Sequence, residues 1–248
     1  MFRNLASVLG GVMILVSCAS VFAQQAEPQK EVLVFYKTEG FHHKSVDTAV
    51  KTIQKLGAEN DFNVSSTKNT SIFLKEDIRN YDVVVFANTS GNVFNKEEQK
   101  AFRNYIENGG GFFGIHSAAD TEGDWPFFVE LVGGFFENHP KVQQADIHLN
   151  MEDHPAVSHL PKVWTFTDEW YNYKNLNPEI QVLLYLDETS YEGGTNGKEH
   201  PIAWFRKTGH GGISIFTGLG HSEESYIKPN FKEHILQSIL FALGETKK

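Results

Sequence analysis

Two short runs limit what this chain can fold into: residues 31–36 (EVLVFY) and 81–87 (YDVVVFA) are apolar almost from end to end. A strand with one wet face alternates apolar and polar side chains. A strand with no polar face must be covered on both sides, as in a parallel sheet between two helical layers. The residues after each run agree with that requirement. Val46, Ala49, Val50, Ile53 and Leu56 recur at helical spacing, with Ser45 expected as N-cap and Gly57 as the stop. Residues 62–66 read as a weaker strand. Asn95 and Glu98 then stand as in a capping box, Phe102, Tyr105 and Ile106 form one apolar stripe, and Gly109 fits the left-handed residue past the helix end. Residues 111–115 complete four β-α repeats in roughly ninety residues, which predicts an open α/β sheet of the doubly wound type. Right-handed crossovers place the loops at 40–43, 88–91 and 116–119 along one edge, where such sheets bind ligands.

The second half is less regular. A short helix is expected over 125–132, ended by Gly133 and Gly134, with strands over 145–151, 163–167, 180–186, 201–206 and 213–217. A last helix from Pro229 buries Phe231, Ile235, Ile239 and Leu243. No repeat, linker or second domain interrupts residues 31–245.

The groups able to do chemistry gather at predicted strand ends. In residues 109–119 (GGGFFGIHSAA) a strand runs into a tight turn with the layout of a nucleophile elbow, yet His116 stands where a serine or cysteine nucleophile would be. A histidine there suits a general acid/base or a metal ligand. Ser117 adjoins it, but adjacent elbow side chains diverge, which argues against a Ser-His dyad. His221 has the same setting, after Gly218-Leu219-Gly220. His42 and His43 close the loop after the first strand, and Thr89 lies in the loop after the third. Asp168 and Glu169 come after a strand, beside Trp170 and Tyr171. Carboxylates next to aromatic rings suit a carbohydrate, and a carboxylate can also orient a histidine or complete a metal site. His116, His221 and Glu169 are therefore the expected catalytic groups, and His42, His43, Thr89, Ser117, Trp170 and Tyr171 the expected substrate contacts. The sequence requires no cofactor. A divalent metal such as zinc is the alternative, with His116 and His221 as its candidate ligands. Neither a G-x-x-x-x-G-K-[ST] loop nor a G-x-G-x-x-G after the first strand is present, so bound nucleotides are not indicated. His139, His148, His154, His159, His200, His210 and His234 fit no usable pattern and are expected at the surface.

Composition excludes more than it assigns. Net charge is −9 with no basic stripe, which argues against a nucleic-acid partner and for a small, neutral one. Arg3 precedes an apolar run over 5–16 that is too short to span a bilayer, and residues 21–23 (VFA) fit signal-peptide cleavage after Ala23. Residues 15–18 (LVSC) also fit a lipoprotein box, which would end the leader at residue 17 and leave a lipid anchor on Cys18 as the one link to a membrane. Either way the protein is expected to be exported: periplasmic, secreted or membrane-anchored. Residues 24–30 read as a short tether. Cys18 is the one cysteine, so the mature domain has no disulfide, thiol nucleophile or thiolate ligand. Oligomeric state is left open.

Gly40-Phe41-His42-His43, the stretch from Gly109 to Ala118, Asp168-Glu169-Trp170-Tyr171, and the run from Pro201-Ile202-Ala203-Trp204 to Gly218-Leu219-Gly220-His221 occur in that order. Together they resemble the ThuA-like family, the trehalose-utilisation proteins with a class I glutamine-amidotransferase-like fold, over nearly all of residues 30–244. The resemblance implies a flavodoxin-like, three-layer α/β/α domain with a mostly parallel sheet and its site at the C-terminal edge. His116 would stand where amidotransferase relatives hold their catalytic cysteine, so thiol hydrolysis of glutamine is ruled out, and the fold does not carry the activity with it. The resemblance also implies carbohydrate catabolism, including steps on trehalose-like disaccharides and 3-keto glycosides. A 3-keto group acidifies the neighbouring C–H bonds. Isomerisation or loss of the glycosidic oxygen then needs one base and one acid, roles open to His116 and His221 with Glu169 orienting one of them. The expected function is acid/base or metal-assisted chemistry on a glycoside or 3-keto sugar; the alternative is a sugar-binding or accessory protein without turnover.

Overall fold

The computed structural model describes residues 29–244, without the side chains of Glu76 and Asp77. The leader, Cys18 and most of the tether lie outside the described residues. The strands are β1 (Lys30–Phe35), β2 (Phe62–Thr67), β3 (Val83–Ala87), β4 (Gly111–Ile115), β5 (Phe135–Asn138), β6 (Gln143–Leu149), β7 (Val163–Asp168), β8 (Asn172–Lys174), β9 (Gln181–Leu186), β10 (His200–Lys207) and β11 (Ile213–Thr217). The helices are α1 (Val46–Glu59), α2 (Ser71–Leu74), α3 (Lys96–Glu107), α4 (Pro126–Val132) and α5 (Pro229–Ala242).

Nine strands form one sheet in the order β2-β1-β3-β4-β11-β10-β9-β6-β7, and β5 pairs with β8 in a separate ribbon. From β2 to β11 every pairing is parallel, as the two-sided apolar runs require. From β11 to β7 every pairing is antiparallel. The chain moves one way across the sheet from β1 to β2 and the other way from β3 to β4, so right-handed crossovers set α1 and α3 on opposite faces.

One of the resulting layers is built around a cluster of phenylalanines. Phe86 of β3 lies 5.3 Å from Phe102 of α3 and 5.2 Å from Phe128 of α4, and Phe35 of β1 lies 5.1 Å from Phe73 of α2. Each ring withdrawn from water contributes about 1.5–3 kcal/mol, with tilted and edge-on contacts adding about 0.5–1.5 kcal/mol per pair. On the other face, α1 and α5 bury Val46, Ala49 and Ile53, and Phe231, Ile235 and Ile239.

Most local expectations hold. Asn95 Oδ1 accepts from the amides of Glu97 and Glu98, and Glu98 returns a carboxylate to the Asn95 amide at 2.8 Å, so the capping box is complete. Three expectations fail. Gly57 does not stop α1, which continues to Glu59; a Cβ at residue 57 would sit 2.4 Å from Val64 Cγ2, so the glycine serves close contact with β2. Ser45 does not cap α1; its hydroxyl donates to the Gly220 carbonyl at 3.1 Å and accepts from Asn88 Nδ2 at 2.7 Å, joining three strand-end loops. Finally, His154, His200 and His234 are buried rather than superficial.

The antiparallel half also curls. In sheet order β7 is four places from β11, yet Oδ2 of the fully buried Asp168 accepts from the Gly220 amide at 2.8 Å and Oδ1 from the His221 amide at 3.1 Å. The end of β7 is thereby brought back over the centre of the parallel edge.

Candidate metal centre

Three strand ends deliver an imidazole to one place, and a fourth brings a carboxylate. His43 comes after β1, His116 directly after β4, His221 after β11 and Glu169 after β7. Glu169 Oε2 lies 3.1 Å from His221 Nδ1, 3.4 Å from His116 Nε2 and 3.9 Å from His43 Nε2. His43, His116 and Glu169 are buried, and His221 is partly so.

The elbow is held in an uncommon conformation. His116 has φ 50°, and Asn88 at the end of neighbouring β3 has φ 52°. Histidine and asparagine are among the side chains that tolerate this left-handed region, at a cost of about 1–3 kcal/mol. The ring is then locked. A carbonyl oxygen only accepts, so His116 Nδ1 donates to Gly218 O at 2.8 Å, and Nε2 points into the cluster with no hydrogen-bond partner. Ser117 Oγ lies 3.3 Å from His43 Nδ1, which turns His43 Nε2 inward in the same way.

These atoms need a positive charge among them. Burial pushes the Glu169 carboxyl up, but the rings of His116, His221 and His43 outweigh it and hold the group well below the usual carboxylate range. Burial lowers His43 to about 4, against a smaller upward pull from Glu169, so its ring is neutral near pH 7. Glu169 raises His221, against the opposing effect of burial. The downward pull on Glu169 requires a proton or a metal ion between the carboxylate and the ring nitrogens. The donor set fits a metal. One atom from each of His43, His116, Glu169 and His221 lies within 4.8 Å of the others. The three distances from Oε2 bracket the ~3.4 Å edge of a tetrahedron with ~2.1 Å bonds, as zinc takes with nitrogen and carboxylate ligands.

The other expected contacts stand outside this donor set. His42 is exposed, with Nδ1 3.0 Å from Thr38 Oγ1, and does not join the cluster. Thr89 is fully buried and spends its hydroxyl on Thr121 at 2.8 Å. Ser117 is fully buried and positions His43 rather than facing a ligand. Trp170, expected beside the substrate, is fully buried with Nε1 donating to Gln143 O, so no face of it is open to a sugar. Tyr171 is buried against the His116 ring at 4.4 Å. Asp168 and Glu169 divide their labour: Asp168 ties backbone, and Glu169 faces the imidazoles.

One residue at the site escapes sequence reasoning. His139, in the loop after β5, places Nδ1 3.1 Å from Glu169 Oε1 and 2.8 Å from Pro140 O. The carbonyl identifies Nδ1 as a donor, and the side chain is 42% exposed, so the ring is open to solvent beside the cluster. No pattern in the sequence marks it; a histidine one residue before proline in an irregular loop is an ordinary surface residue.

A largely parallel sheet with a histidine on the elbow after β4 defines a glutamine-amidotransferase-like fold. The chain belongs to the ThuA family, described as trehalose utilisation, whose model matches residues 31–242. Among solved structures, a ThuA-like protein from Bacteroides uniformis is 27% identical, with 87% of this chain and 91% of that one covered and a TM-score of 0.75. A ThuA-like protein from Parabacteroides merdae is 20% identical, with 90% and 92% covered and a TM-score of 0.72. A glutamine amidotransferase from Thermotoga maritima shares the fold at 8% identity, with 88% and 99% covered and a TM-score of 0.51. No curated protein matches the chain.

Proposed function

We propose that this protein is an exported enzyme of carbohydrate catabolism in which His43, His116, His221 and Glu169 hold a divalent cation of the zinc class. Its substrate is a glycoside or 3-keto sugar. The observation that carries this reading is the orphaned Nε2 of buried His116, aimed with two further imidazoles at one carboxylate oxygen. The family description supplies the carbohydrate context. A bound cation supplies Lewis-acid polarisation of a carbonyl or hydroxyl oxygen. The protein's own part is to fix that oxygen and to move a proton. With a 3-keto glycoside, a base takes the proton from the carbon next to the ketone, the glycosidic C–O bond breaks, and the departing oxygen receives a proton. His139 carries the solvent-facing imidazole nitrogen beside the cluster, and Glu169 Oε1 orients its ring.

The test is elemental analysis of purified protein together with turnover of a 3-keto disaccharide before and after chelation. About one equivalent of metal and chelator-sensitive turnover are expected, with four protein donors holding the cation and expansion to a fifth position admitting the sugar oxygen. A proton on His221, whose pKa Glu169 raises, is the other source of the missing charge. Metal-free protein with full, chelator-insensitive turnover favours that acid/base reading. Sugar binding with no turnover under any condition reduces the protein to an accessory binder.

A further inference from the structure

The rings expected to stack on a sugar, Trp170 and Tyr171, are shut inside the fold, and the site presents a different one. Phe41 is 67% exposed, on the loop between β1 and His43. Its ring stands edge-on to the His43 ring, with centroids 4.8 Å apart and planes at 78°. Leaving a phenylalanine in water forfeits about 1.5–3 kcal/mol of burial.

The segment that exposes it is tightly built. The amides of Glu39 and Gly40 both donate to Ser90 O, at 2.8 and 3.2 Å, and Ser90 Oγ donates to Phe41 O at 2.7 Å. Gly91, at φ +71°, allows that approach, since a Cβ there would lie 2.6 Å from Gly40 N. A loop fixed by backbone bonds to its neighbour, with its one large ring turned outward beside the cluster, holds that ring in place for a ligand.

We infer that Phe41 is the stacking platform of the site, set to take the apolar C–H face of a pyranose ring while the sugar's oxygens meet the cluster. The inference rests on the carbohydrate reading above and adds what that reading lacks, a residue that selects ring-closed sugars over open-chain polyols. The C–H groups of a pyranose face carry partial positive charge, and the aromatic face is negative, so the two attract as well as exclude water. Imidazole nitrogens and a carboxylate alone would take any oxygen-rich ligand. Phe41 adds a preference for shape.

The experiment is titration calorimetry of metal-analysed protein with trehalose, its 3-keto derivative and sorbitol, on wild type, Phe41→Ala and Phe41→Trp. The side chain packs on little, so all three should fold with equal metal content and melting temperature. Wild type should bind a disaccharide more tightly than sorbitol. Phe41→Ala should weaken the disaccharide roughly three- to tenfold, with sorbitol unchanged, and Phe41→Trp should restore binding. Disaccharide affinity in Phe41→Ala within about twofold of wild type overturns the platform and leaves the carbohydrate reading standing. Failure of wild type to bind either disaccharide overturns both. Self-association of wild type that Phe41→Ala abolishes, with sugar binding intact, overturns the platform in favour of a contact between two copies of the chain.

Discussion

His139 Nδ1 lies 3.1 Å from Oε1 of Glu169, the carboxylate oxygen that does not face the three inner imidazoles. One carboxylate thus serves two sets of partners, a buried set through Oε2 and an accessible ring through Oε1. The two sets should separate by mutation. His139→Ala is expected to keep the bound metal and the fold while turnover falls about 10²- to 10⁴-fold, the usual scale for losing a general acid or base. Metal analysis beside steady-state kinetics checks it, and metal loss in this variant would move His139 into the ligand set.

Glu169→Gln keeps the size of the side chain and removes its charge. Three imidazoles then face a neutral amide, and the attraction that holds a cation among them is gone. Cation affinity should fall by more than about 100-fold, measured by competition with a chromogenic chelator. The melting temperature of the metal-free protein should change far less than that of the loaded one.

Asp168→Asn tests the tie rather than the centre. The carboxylate accepts from the amides of Gly220, His221 and Glu169, and an amide in its place must turn an NH₂ toward at least one of those donors. A loss of about 2–4 kcal/mol is expected, read from urea unfolding, because a buried charged acceptor with several donors is removed. Cation affinity should fall as well, since His221 and Glu169 both lean on Asp168.

Away from the site, His154 and His234 should make the protein acid-sensitive. Burial lowers each to about 4, with His159 adding to the effect on His234. In the unfolded chain both titrate near 6.5, so between about pH 6.5 and 4 the unfolded state binds more protons than the folded one. Stability is therefore intact above pH 6.5 and is lost as pH falls toward 4, by about 3 kcal/mol or more. Urea midpoints at pH 7.5 and 4.5 give the slope directly, and His154→Gln should flatten it.

How much of the fold and site is legible in the sequence depends on how local each signal is. His116 and His221 stand out because each sits on a short apolar strand and a glycine turn, a pattern contained in about ten residues. His43 is expected on the same edge and Glu169 beside the two histidines, but how closely Glu169 meets them depends on β7 curling back over the parallel edge, which no local pattern carries. That curl is a property of the antiparallel half, whose strands are irregular in sequence. The same curl buries Trp170, so a turn that reads as an aromatic, polar exit from a strand becomes interior. Gly57 misleads for a related reason: a glycine inside a helix marks close packing as readily as an end, and the partner, Val64, belongs to another strand. His139 has no local signal at all.

The four groups at residues 43, 116, 169 and 221 span most of the chain, and the last arrives with β11, near its C-terminus. No partial chain can assemble them. On the proposed reading, an exported, metal-holding protein that crosses the membrane unfolded would reach the far side with its centre not yet made, and would draw its ion from wherever folding finishes. Metal identity is then decided by the supply in the destination compartment, and the same polypeptide folded in the cytoplasm of an expression host is free to take a different one.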